Sequence, residues 1–252
     1  DYSYNGFKIF KNDGTKLDDG EEAELEDIIL KDRAEINFGK DLSARSEKFL
    51  YREENLINKY IFSLLNFLPP AFSLKGVKIV LDCANGATYE VAPRVFKKLG
   101  AEAESIFIRP DGENINADCG SLHTESLRAA VKDKKADLGF SFDGDGDRLI
   151  AVAEDGQVLN GDQLLYIYSQ LFLAGGRLKN NLVVSTVMSN IGFINALRAI
   201  GVKHKATEVG DRSVFFEMKK SGAVLGGEEA GHIIFSDFNA VGDGILSALM
   251  LA

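Results

Sequence analysis

The chain has 252 residues, 45% hydrophobic and 27% charged, a balance that excludes a disordered or fibrous protein and suffices for two average domains. A formal charge of −9 argues against nucleic-acid binding, which draws most of its affinity from cationic contacts to phosphate. No stretch approaches the roughly 20 apolar residues of a membrane span, and the two cysteines, Cys83 and Cys119, lack C-x-x-C spacing, which fits reduced thiols in a cytoplasmic protein.

Residues 1–70 form the least regular part. Gly6 to Phe10 reads as a strand before the turn Asn12-Asp13-Gly14. Glu21 to Ala34 reads as a helix, with Leu25, Ile28 and Ile29 at helical spacing in an otherwise charged segment. A second amphipathic helix, Glu53 to Leu68, stops at Pro69-Pro70, because proline cannot continue a helix and restricts the residue before it.

From Lys75 the pattern changes. Val77–Leu81 is a predicted strand, Thr88–Leu99 a helix closed by Gly100, Ile106–Ile108 a strand, Thr124–Lys135 a helix and Leu138–Phe142 a strand. After Gly161 the alternation begins again. Helices are predicted over Asp162–Leu173, Ile191–Ile200 and Ser213–Lys220, and strands over Leu182–Val187, Val202–Val209, Ala223–Leu225 and Ile233–Phe235. Strands alternating with helices of about a dozen residues imply βαβ units. The expected fold is α/β: successive three-layer α/β domains with mixed, mainly parallel sheets, divided at 1–70, 71–157 and 158–252.

The most informative segment is Ser141-Phe142-Asp143-Gly144-Asp145-Gly146-Asp147-Arg148, directly after a strand. Three like charges this close raise one another's pKa values. A hard divalent cation such as Mg²⁺ removes the conflict, and the glycines let alternate carboxylates converge. Ligands in open α/β sheets bind at the carboxyl ends of strands, where this loop is expected to lie. Three other readings stay open on spacing. One is a solvated acidic turn. Another is a calcium-binding EF-hand loop, with aspartates at positions 1, 3 and 5 and Glu154 at position 12, but Arg148 where the turn glycine belongs. The third is the aspartyl-nucleophile loop of a haloacid-dehalogenase-type phosphatase.

A second loop, Gly226-Gly227-Glu228-Glu229-Ala230-Gly231-His232, lies between two strand-like pieces. Glu accepts hydrogen bonds from sugar hydroxyls, and His binds phosphate or moves protons. A surface hairpin with a solvated Glu pair accounts for the same spacing. Val209-Gly210-Asp211-Arg212 joins a strand to a helix. Arg212 there is placed to meet an anion at a helix N-terminus, while helix capping serves equally well for Asp211. Lys8 by itself reads as a surface lysine.

Together these loops resemble the α-D-phosphohexomutase superfamily. D-G-D-G-D-R stands at 143–148, G-E-x-S-G-H is matched at 227–232 except at Ala230, and Asn5-Gly6-Phe7-Lys8 is similar to the end of the active-site stretch S-H-N-x-x-x-x-N-G-x-K. Within it, Asn85-Gly86-Ala87, Gly161-Asp162-Gln163-Leu164-Leu165, Val187-Met188-Ser189-Asn190 and Val209-Gly210-Asp211-Arg212 are most similar to the phosphoglucosamine mutases. Departures are Ala230 for a usual Ser, Val241 for Thr and Ser213 for a common Tyr; the first bears on sugar preference.

The resemblance implies a four-domain enzyme that interconverts glucosamine 6-phosphate and glucosamine 1-phosphate through a phosphoserine and a hexose 1,6-bisphosphate, feeding amino-sugar nucleotide and cell-wall synthesis. A glucose- or mannose-phosphate mutase is the alternative. Asp143, Asp145 and Asp147 would hold Mg²⁺. Lys8, Arg148 and His232 would be catalytic. Glu228, Ala230, Gly210, Asp211 and Arg212 would bind substrate. Residues 1–70 would be the end of the first domain, with the serine upstream of Asp1, so this piece alone is expected to be inactive. The implied partner is a small sugar phosphate, with no nucleic acid or membrane; a homodimer is left open.

Overall fold

The computed structural model describes residues 2–3, 8–32 and 54–252. The chain divides into two compact units, Gly6–Ser63 and a larger one of Asp1–Asn5 with Leu64–Ala252. In the smaller unit, helix α1 (Asp19–Asp32) starts where Asp18 accepts hydrogen bonds from the backbone N–H groups of Gly20 and Glu21, each at 3.1 Å. Side-chain acceptors of this kind satisfy the orphan donors of a first turn. The predicted end of this helix, at 33–34, lies outside the described residues, as does part of the predicted Gly6–Phe10 strand; Phe10 pairs with Lys16 in an isolated bridge. Helix α2 (Glu54–Phe67) ends before Pro69-Pro70, as expected.

The larger unit contains two sheets built to one plan. The first has the order β2-β1-β3-β4-β5, from β1 (Lys78–Asp82), β2 (Glu102–Ile106), β3 (Leu138–Phe142), β4 (Leu149–Ala153) and β5 (Val158–Leu159). Strands β1, β2 and β3 run parallel, and β4 turns back antiparallel on β3. Helices α3 (Val91–Lys98) and α4 (Glu125–Lys134) cover it. Leu127 and Val131 of α4 pack on Val80 and Val152, while Phe96 of α3 meets Phe140 with ring centroids 5.6 Å apart.

The second sheet has the order β7-β6-β8-β9, from β6 (Leu182–Thr186), β7 (Lys203–Thr207), β8 (Leu225–Gly227) and β9 (Ile233–Phe235). Its first three strands are parallel and β9 is antiparallel to β8. Side chains alternate across a strand, so neighbours in sequence serve opposite layers. Val184 and Ile234 pack on Val214 and Met218 of α7 (Asp211–Ser221). Phe235 faces the other way, against Tyr168 of α5 (Gly161–Ala174), whose hydroxyl donates to the Ser247 carbonyl of α8 (Gly244–Leu251) at 2.6 Å. Helix α6 (Ile191–Ala199) completes the set. The architecture is the expected three-layer α/β with mixed, mainly parallel sheets.

Local differences have local causes. The strand expected at Ile106–Ile108 is instead Glu102–Ile106, and Phe107 already turns away at φ 51°. As an edge strand it carries Glu102 and Glu104 at exposed positions, so its apolar signal is weak and the Ile-Phe-Ile run misleads. Strand β8 takes in Gly226 and Gly227, and helix α7 starts at Asp211 rather than Ser213. Among the described residues, no helix is long and apolar enough to cross a membrane.

Candidate active site

The loop 143–148 joins β3 to β4 at the carboxyl edge of the first sheet, immediately beyond the Phe142–Leu149 pair. Its flanks are antiparallel strands, which rules out the helix–loop–helix of an EF-hand. Asp143, Asp145 and Asp147 each turn a carboxylate oxygen into one cluster, all within 4.8 Å of one another. Against a solvated turn, the Asp143 and Asp147 side chains are only 17% and 22% exposed, while Asp145 between them is exposed. The two glycines are needed for different reasons. Gly146 has φ 77°, a left-handed conformation that side chains resist, whereas a Cβ on Gly144 would lie 2.6 Å from Asn116 Nδ2.

The three carboxylates raise one another's cost of ionisation. Burial, then the neighbouring charges of Asp147 and Asp145, pushes the Asp143 carboxyl up to about 7. The Arg148 backbone N–H donates to Asp143 Oδ1 at 3.1 Å, and the Arg148 guanidinium lies 3.8 Å from Asp143 and 3.9 Å from Asp147. Three converging carboxylate oxygens are the hard donors that a divalent cation such as Mg²⁺ takes, so the residues present fit such an ion. A cavity of about 670 Å³ opens beside the loop, lined in part by Asn85, Tyr89, Asn114 and Asn116.

The loop 228–232 takes the equivalent place in the second sheet, between β8 and β9, and the two loops meet. The Leu149 N–H donates to the Gly231 carbonyl at 3.0 Å, and Arg148 and His232 pair as an isolated β-bridge. His232 is buried. Its Nε2 accepts the Gly242 N–H at 3.0 Å, so in the neutral ring the proton sits on Nδ1, which faces Asp147 Oδ2 at 3.5 Å. Asp211 Oδ2 lies 3.6 Å from Nε2. Glu228 is half-buried, and its Oε1 accepts the Gly210 N–H at 3.0 Å.

Of the residues singled out in the sequence, Asp143, Asp145, Asp147, Arg148, His232, Glu228, Gly210 and Asp211 thus fall in one linked set. Arg212 adjoins it, its N–H donating to Asp211 Oδ1 at 2.8 Å, and Ala230 is half-buried in the second loop. Asp211 does not cap α7; Gly210 occupies the cap position at φ 124° and no side chain caps the helix there. Lys8 belongs to the smaller unit, where it is exposed. Three contributors had no site role assigned from sequence. Gly161 donates its N–H to the Glu229 carbonyl at 2.8 Å. The fully buried Asp82 accepts from Ala84 and Gly120, pinning the loops behind the carboxylates. The Gly242–Gly244 segment contacts both loops. Only its glycine spacing hinted at that.

Comparison with known proteins decides the relationship. The family description "Phosphoglucomutase/phosphomannomutase, alpha/beta/alpha domain II" matches residues 58–156, and the corresponding domain III matches 160–252. The chain belongs to the phosphoglucomutase/phosphomannomutase family. This excludes the haloacid-dehalogenase reading of the loop. Phosphoglucosamine mutases of Syntrophobacter fumaroxidans and Bacillus subtilis are each 47% identical, over 251 and 249 residues, or 99% and 98% of the chain. The matches take in 55% and 54% of those proteins, so the chain spans about half the length of the curated relatives it matches. Among solved structures, a phosphoglucomutase/phosphomannomutase family protein from Burkholderia thailandensis superposes with TM-score 0.69 at 28% identity, over 78% of this chain and 43% of that one.

Proposed function

We propose that this chain supplies the metal-holding and sugar-recognising parts of a phosphoglucosamine mutase, which interconverts glucosamine 6-phosphate and glucosamine 1-phosphate through a hexose 1,6-bisphosphate. The single observation that carries the reading is the junction of the two hairpin loops, which sets a carboxylate cluster beside a Glu–His pair in one linked set. The curated relatives' name supports the amino-sugar substrate. On this reading, 71–157 and 158–252 act as the second and third domains and 1–70 as the end of the first, in the cytoplasm.

Asp143, Asp145 and Asp147 would hold Mg²⁺, which when bound supplies positive charge to a transferring phosphoryl group. Arg148 adds a guanidinium to the same charge, held near the loop by Asp143 and Asp147. Glu228, its carboxylate tethered by the Gly210 N–H, presents its remaining lone pairs to sugar hydroxyls. His232, its Nε2 occupied by the Gly242 N–H, turns Nδ1 toward Asp147 Oδ2 at 3.5 Å and would help to orient that carboxylate. Arg212 would bring its guanidinium to a substrate phosphate, with Gly210 and Asp211 beside it. Lys8 would serve as a charge-stabilising group beside the phosphoserine.

The test is an assay of the parent polypeptide with glucosamine 6-phosphate, Mg²⁺ and a hexose bisphosphate primer. Formation of glucosamine 1-phosphate is expected. Release of inorganic phosphate without that product overturns the proposal, and turnover of glucose or mannose phosphates alone moves it to another branch of the family.

A further inference from the structure

A segment outside both loops, Gly242-Asp243-Gly244, reaches both of them through its two glycines. The Gly244 N–H donates to the Gly146 carbonyl at 2.9 Å. It is the first residue of α8, so a metal-loop carbonyl satisfies a donor that every helix start leaves orphaned. Asp243 caps the same helix, its Oδ1 accepting the Leu246 N–H at 2.9 Å. The Gly242 N–H goes to His232 Nε2, and the Gly242 Cα is so close that a Cβ would lie 2.7 Å from the Asp147 carbonyl and 2.6 Å from that nitrogen. A Cβ on Gly244 would strike the Arg148 carbonyl and come within 2.9 Å of that of Gly146. Neither glycine has positive φ, so close approach alone requires them.

We propose that Gly242-Asp243-Gly244 is a positioning element for the cation site, with the start of α8 holding the backbone of 146–148, and thereby Asp147 and Arg148, in their metal-ready arrangement. The proposal rests on the metal reading above. It adds that the geometry of this loop is set by a helix that follows the second sheet in the chain and packs back on β3 and β4 of the first. The support comes from outside the loop: Gly244 donates to the Gly146 carbonyl, and the side-chain-free Gly242 and Gly244 lie against the carbonyls of Asp147 and Arg148. Gly244→Ala isolates the effect, because alanine is favoured over glycine within a helix and any loss must come from the contact.

The test is Mn²⁺ titration of the 252-residue chain, read by electron paramagnetic resonance, alongside thermal melting. Gly244→Ala is expected to bind Mn²⁺ at least about tenfold more weakly than the unaltered chain, the range typical of outer-shell support. Leu127→Ala, which opens the core beneath α4, is expected to lower the melting temperature and leave Mn²⁺ affinity within about twofold. Equal affinity of Gly244→Ala and the unaltered chain overturns the proposal. Should Gly244→Ala not fold, Asp243→Ser and Asp243→Ala take its place: both lose the charge, but only serine keeps the cap. Alanine should then bind Mn²⁺ about threefold more weakly than serine, and equal affinities overturn the proposal. Absence of Mn²⁺ binding by the unaltered chain overturns the metal reading itself, and this proposal with it.

Discussion

Two hairpin loops occupy the same place in successive sheets, and they solve opposite problems. In 228–232 the protein completes its own interactions. Glu228 N–H donates to the His232 carbonyl, Gly231 N–H to the Glu228 carbonyl, and the carbonyls of Glu229 and Gly231 accept from Gly161 and Leu149. Even the Glu228 carboxylate is tethered. In 143–148 the backbone is also hydrogen-bonded, yet three carboxylate oxygens converge within 4.8 Å and the charges of Asp147 and Asp145 push the Asp143 carboxyl up. The first kind of loop is preorganised. The second is built to be finished by something from outside.

The largest effect expected from this contrast is on pH and stability. With its carboxyl raised to about 7, Asp143 takes up a proton on folding between about pH 4 and 7, so its contribution to stability falls as pH rises through that window and is least above it. In metal-free protein at pH 8, Asp143→Asn should therefore stabilise, by at most about 4 kcal/mol, since asparagine keeps an oxygen for the Arg148 N–H. Thermal melting at pH 4 and pH 8 checks this; a variant equally stabilised at both values would break the contrast. Saturating Mg²⁺ should reverse the sign at pH 8.

Next in size, Asp145→Asn should weaken Mg²⁺ binding on the order of 100-fold, because affinity in oxygen sites follows ligand charge. Calorimetry decides it, and unchanged binding removes the loop from the site. His232→Phe strands the buried Gly242 N–H and should cost about 2 kcal/mol in urea denaturation. Wild-type stability would mean that the ring's hydrogen bond does not hold the loops together. Smallest is Glu228→Ala, which frees one Gly210 N–H at a cost of about 1 kcal/mol. It should weaken glucosamine 6-phosphate binding with Mg²⁺ affinity unchanged, and a parallel loss of both would show that the two loops do not divide the work.

Much of this was legible from local pattern. Leu138–Phe142, with Leu138, Phe140 and Phe142 at alternate positions, reads as a strand and is one, residue for residue. The aspartates spaced by glycines at its end converge as their alternation suggests. Elements whose signal is diluted were displaced: β2 by its exposed glutamates, and β8 by glycines whose value lies in what packs on them, such as Met218 on Gly226. Asp211 looked like a cap because its residue type favours caps, but the chain enters α7 through Gly210 instead.

By itself, the sequence determined the alternation of strand and helix, the charge stored between β3 and β4, and the kinship with the phosphohexomutases, because each is written within a few neighbouring residues. Only the tertiary structure decided that His232 lies buried between Asp147 and Asp211, and that Gly242 and Gly244 brace a loop about a hundred residues earlier. Such contacts join residues whose types carry no mark of one another. They exist because the two sheets place their hairpin loops together, and no local propensity encodes that distance.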